Sequence, residues 1–126
     1  MSRSTGLPQH LWVFDLRPES ADRIIGYVRQ AGLAVRISRT DTMEMAVMQM
    51  DVAAPDVVLV SFEGPPDWSF ESAMSYVVKC GHKPLVLADK IDDGVVARAY
   101  AFGAQGVVPS AAPDAIISAL RWMLSI

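Results

Sequence analysis

Four oxygen-bearing side chains follow apolar runs of this chain. Asp15 comes directly after Leu11-Trp12-Val13-Phe14, Ser61 and Glu63 come after Val57-Val58-Leu59-Val60, and Asp89 comes after Leu85-Val86-Leu87 and Ala88. Carboxylates brought to one crevice are what a hard divalent cation takes as ligands. A serine at such a place is a nucleophile only when a base removes its proton. Neither His10 nor His82 stands at the end of an apolar run, so no imidazole base is offered to Ser61. Two readings of Asp15, Glu63 and Asp89 remain: an altered cation site, or solvated loop carboxylates with Asp89 capping a turn. We expect the second. No GxGxxG or GxxxxGK[ST] loop offers a phosphate cradle, and Leu16-Arg17-Pro18-Glu19 is too bulky and acidic for a flavin-phosphate loop.

The elements that must position these residues alternate along the chain. Val57 to Val60 is an unbroken β-branched and aliphatic run, as in a strand covered on both faces. Gly64-Pro65-Pro66 then stops it. Leu11 to Phe14, Leu33 to Ser38, Leu85 to Leu87 and Gly106 to Val108 read as four further strands, the second at an edge because it carries Arg36 and ends beside Arg39. Between them lie helical patterns. Pro18 opens the first, with Ala21, Ile24, Ile25 and Val28 inward and Gly32 as its stop. Thr40 or Asp41 caps the second, which ends near Val52, and Ser69 caps the third, with Phe70, Met74 and Val77 inward. Asp92 and Asp93 start the fourth, with Val96, Ala99 and Tyr100 inward. Pro113 starts the fifth, with Ile116, Ile117, Leu120 and Leu124 inward. Five strand–helix units joined by short connections demand right-handed crossovers, hence an α/β fold with a doubly wound parallel sheet. In such sheets chemistry sits beyond the carboxyl ends of the central strands, which is where Ser61 falls.

Length and charge narrow the function classes. The chain has 126 residues, enough for one domain with a full core, and we expect a flexible segment over 1–9 and a single domain over 10–126. Its net charge is −3 and only three of its eleven basic residues are lysines, with no basic stripe, which argues against direct nucleic-acid binding. Cys80 is the single cysteine, no apolar run approaches about 20 residues, and residues 1–9 lack a signal-peptide core. A cytoplasmic protein without membrane contact is expected.

From Leu11 to about Leu124 the sequence resembles the CheY-like receiver domains of response regulators in two-component phosphorelay signalling. The resemblance is carried by Leu11-Trp12-Val13-Phe14-Asp15-Leu16-Arg17-Pro18, by Pro55 to Pro65, by Lys83-Pro84-Leu85-Val86-Leu87 and by Gly103-Ala104-Gln105-Gly106-Val107-Val108. It implies a flavodoxin-like three-layer αβα sandwich with strand order 2-1-3-4-5. It also implies a phosphoacceptor pocket, and this chain departs from it at nearly every position. Ser61 stands for the acceptor aspartate, and of the two metal-binding acids Asp15 matches one while Leu16 replaces the other. Ala88 or Asp89 falls where a hydroxyl belongs, Ser110 where the lysine belongs, and Val107 where the switch aromatic belongs. The resemblance is therefore to a degenerate pseudo-receiver, with no catalytic residue, cofactor or metal expected.

Function is then expected on surfaces. The receiver pattern turns Met43, Ala46, Val47 and Met50 toward the sheet and leaves Met45, Met48 and Val52 on an outer stripe, either an adaptable binding face or half-buried packing. On the last helix Trp122 points outward along a stripe with Ala115 and Ala119, and Phe102 and Val95 are candidates to join it. In receivers the face of the fourth helix, fifth strand and fifth helix mediates dimerisation or contact with an output domain. The expected partners are a second copy of the chain or its own output domain. There is also a weaker resemblance to the receiver-like domains of antiterminators related to the amidase regulator, and to degenerate receivers in cyclic-di-GMP signalling. The alternative is an atypical phosphoacceptor or metal-binding receiver with a rearranged pocket around Asp15, Ser61, Glu63 and Asp89.

Overall fold

In the computed structural model, which describes residues 9–40, 42, 44–46, 48–49 and 54–125, five parallel strands form one sheet. They are β1 (Gln9–Phe14), β2 (Val35–Arg39), β3 (Val57–Ser61), β4 (Pro84–Ala88) and β5 (Gly106–Pro109), in the order β2-β1-β3-β4-β5. The helices are α1 (Pro18–Gln30), a helical stretch described at 44–46 and 48–49 (α2), α3 (Phe70–Lys79), α4 (Asp93–Ala101) and α5 (Pro113–Leu124). Residues 1–8 of the expected N-terminal segment lie outside the described residues, and Gln9 is already the first residue of β1.

Alternation along the strands divides the core into two layers. Leu11 and Val13 of β1, Val57 and Leu59 of β3, and Leu85 and Leu87 of β4 face Ala21, Ile24 and Val28 of α1 and Ile116, Leu120 and Leu124 of α5. Trp12, Phe14, Val58, Val60 and Val86 face the other way, onto Phe70, Ala73, Met74 and Val77 of α3 and Ala99 of α4. This double burial is why β3 and β4 read as continuous apolar runs. All five residues of each are buried. β2 lies at the edge, with Arg36 exposed, as its charges implied.

Three local details differ from the sequence reading. Thr40 does not cap α2. It is fully buried and accepts a hydrogen bond from Trp12 Nε1, tying β1 to the end of β2, because a buried indole N–H needs an acceptor. Thr42 Oγ1 instead accepts from the Met45 backbone N at 3.1 Å. Tyr100 is exposed rather than inward, since Ala99 is the residue of α4 that reaches the core. Phe102 is half-buried against the α3 layer rather than free on an outer face. Ser69 and Asp92 do cap α3 and α4, accepting from the backbone N of Ser72 and Val95 at 3.2 and 2.9 Å. The expectations placed on Asp41, Met43, Val47, Met50 and Val52 lie outside the described residues.

Candidate functional site

The register brings the carboxyl ends of the strands level. Phe14 pairs with Val60, Ser61 with Leu87, and Ala88 with Pro109. Asp15, Ser61, Asp89 and Ser110 are therefore the last residues of their strands or the first beyond them, and they meet at one edge of the sheet. His10 and His82 lie at the start of β1 and before β4, toward the other end.

The group that joins these residues is Arg17, which the sequence reading had not singled out. Its Nε donates to Asp15 Oδ1 at 3.3 Å, its Nη1 to Asp89 Oδ2 at 2.7 Å, and its Nη2 to Ser61 Oγ at 2.9 Å and Ser20 Oγ at 3.3 Å. The Arg17 backbone N also donates to Asp15 Oδ1, at 3.0 Å. Ser110 Oγ donates to the other oxygen of Asp89. Ser61 Oγ donates to the carbonyl of Glu63 at 2.6 Å, and Glu63 Oε1 accepts from the Asp89 backbone N at 2.9 Å. Asp15 is buried, and its Oδ2 has no hydrogen-bond partner. Leu16 turns away and packs on the α3 layer, and buried Ala88 brings no polar group.

Electrostatics follow the contacts. Burial works to lower the Arg17 pKa, but the hydrogen bond to Asp89 and the charge and hydrogen bond of Asp15 outweigh this and raise it above its usual value. The Arg17 hydrogen bond, then that of Ser110, hold Asp89 below the ordinary carboxylate range. The sequence did carry a signal for Arg17. Pro18 is the first helical residue and holds Arg17 extended as the N-cap of α1, at φ −96° and ψ 109°. A cation at a helix N-terminus opposes the dipole and implies compensating anions nearby. Asp15 and Asp89 are those anions.

Trp68 closes the site on the α3 side. Its Nε1 donates to the Ser61 carbonyl at 3.2 Å and its ring meets Phe14 edge-on at 5.3 Å. Phe62 lies against Phe70 at 4.7 Å, under the Arg98 guanidinium at 5.1 Å, and Arg98 pairs with Glu71. On the α1 and α5 side a cavity of about 300 Å³ stays open, lined by Arg17, Ser20, Arg23, Asp89 and Ser110.

Solved structures supply the comparison. The response regulator DrrB of Thermotoga maritima superposes with a TM-score of 0.78 at 18% identity over 94% of this chain and 54% of that one. The receiver domain of a LuxO repressor protein from Vibrio parahaemolyticus gives 0.80 at 13% identity, over 94% of this chain and 92% of that one. The isolated receiver domain of RcsB from Salmonella enterica serovar Typhimurium, determined with the phosphomimetic beryllofluoride, gives 0.79 at 14% identity over 94% and 90%. The fold is that of response-regulator receiver domains. This chain spans about half the length of DrrB. No protein-family model matches the sequence, and no curated protein sequence does.

The receiver fold implies a divalent metal beside the acceptor, and the residues present do not fit one. Leu16 brings no oxygen, Asp15 Oδ1 already accepts from Arg17, and among the described residues no three His, Cys, Asp or Glu side chains stand together so as to hold a metal ion. Asp15, Ser61, Asp89 and Ser110 do come together, with Glu63 behind them, around a guanidinium.

Proposed function

We propose that this chain is a receiver-type signalling module that works through protein contact and carries no phosphoryl group. The observation that supports this most directly is the state of Ser61. Its hydroxyl proton is directed at the Glu63 backbone carbonyl and its oxygen accepts from Arg17, so among the described residues no carboxylate or imidazole takes that proton. The module is cytoplasmic and non-enzymatic in this reading. None of the described helices is long and apolar enough to cross a membrane.

The contact face is that of α4, β5 and α5, through which the chain pairs with a second copy or controls an output domain, in antitermination or cyclic-di-GMP signalling. Trp122 on α5 is 77% exposed, which is costly for so large an apolar ring unless something covers it, and Tyr100 on α4 is 53% exposed. Val95, Ala115 and Ala119 are half-buried, and Met48, 74% exposed with Met45 near it in sequence, is the second candidate face. Light scattering across a concentration series tests the face: the wild-type mass rises toward a dimer and Trp122→Asp stays monomeric. Equal masses at high concentration count against it. Amide shifts around Ser61 that require both Mg²⁺ and beryllofluoride would overturn the pocket reading.

A further inference from the structure

We infer that Arg17 is the resident cation of this site: its guanidinium stands where a divalent metal would bind, and it clamps the ends of four strands without one. The geometry assigns it four acceptors. Asp15 follows β1, Ser61 ends β3, Asp89 follows β4 and, through its second oxygen, holds Ser110 after β5, while Ser20 belongs to α1. A planar fork with five N–H donors reaches several acceptors in fixed directions, which a point charge does not. The site depends on that charge. Asp15 is 2% exposed with one oxygen unpartnered, so removing the guanidinium takes from a buried carboxylate the cation it pairs with among the described residues. A site of this shape, emptied of its side chain, selects a free guanidinium over other small cations.

The inference deepens the pocket reading above, and the two fail separately. The beryllofluoride response tests phosphoryl chemistry, whereas amide exchange tests the clamp. Two amides report it: that of Asp89, bonded to Glu63, and that of Ser110, bonded to the Ala88 carbonyl at 2.9 Å. In Arg17→Ala their hydrogen-exchange protection is expected to fall about tenfold or more, with amides in the middle of β3 little changed. Millimolar methylguanidinium restores much of it and raises Tm, whereas methylammonium does neither. Guanidinium ions destabilise folded chains in general, so a rise in Tm marks a specific site. Wild-type protein shows no change in protection with Mg²⁺. Arg17→Lys keeps the charge and the fold but loses the fork, so its protection at both amides drops and methylguanidinium does not rescue it. Wild-type protection in either variant overturns the inference, as does rescue of Arg17→Ala by methylammonium as effective as that by methylguanidinium.

Discussion

Asp89 sits between Arg17 and Ser110, with Arg23 adding to the positive field, and its carboxyl is held below its ordinary range. A group whose pKa is depressed on folding contributes stability that is fully present above its unfolded value, near 4, and is lost as pH falls through the lower folded value. Asp89→Asn removes the ion pair and keeps the size. We expect the variant to be less stable than wild type at pH 7, with the gap narrowing below about pH 4 as wild-type Asp89 protonates. Urea midpoints on both sides of that range check this, and a gap that is constant with pH would show that Asp89 stays out of the linkage. The same residue is more than a solvated loop carboxylate, because a side chain 72 positions away reaches it.

At the scale of elements, the segment from Phe62 to Ser69 leaves β3 and enters α3 under tight constraint. Gly64 is there because the chain passes against Trp68: a Cβ at position 64 would lie 2.4 Å from the Trp68 ring. The indole cannot yield easily, since it is pinned by the Ser61 carbonyl and the Phe14 edge. Gly64→Ala therefore displaces Trp68 and uncovers the end of β3, at a cost of about 1–3 kcal/mol as in overpacked cores. In a Trp122→Phe background, Trp68 fluorescence shifts to the red while that of buried Trp12 stays put. Unshifted emission with unchanged stability would mean that the loop absorbs the methyl group. Helix entry follows simpler rules. Ser69 and Asp92 cap α3 and α4 through their side chains, whereas α1 and α5 begin with proline and no side-chain cap.

At the scale of the molecule, the sheet separates two apolar layers, and β3 contributes to both. Leu59, 1% exposed at the centre of the α1–α5 layer, has neighbours on β1, β4 and both helices that cannot all collapse into a gap. Leu59→Ala should cost about 2–5 kcal/mol, a large share of the roughly 5–15 kcal/mol that stabilises such a domain. Chemical denaturation reads this directly, and a cost under about 1 kcal/mol would mean that the layer repacks. Among the described residues the exposed aromatic rings are Tyr100 on α4 and Trp122 on α5. Asp89 and Ser110 of the pocket lead into α4 and α5, the helices that carry these rings.

The sequence by itself determined the fold. Strand burial is written as unbroken apolar runs, helix faces as three- and four-residue spacings, and turns as Gly and Pro, all local signals that act within a few residues. The positions of Asp15, Ser61 and Asp89 after apolar runs are legible in the same way. Only the tertiary structure decided what fills the space. Arg17 was not singled out from the sequence, and its meeting with Ser61 and Asp89, 44 and 72 positions on, depends on strand order and register. Tyr100 was misplaced for a related reason: helical spacing allows it inward beside Ala99, but the orientation of α4 on the sheet admits only the smaller side chain. Local pattern sets which elements form; which side chains of distant elements share an oxygen or a guanidinium is set by packing.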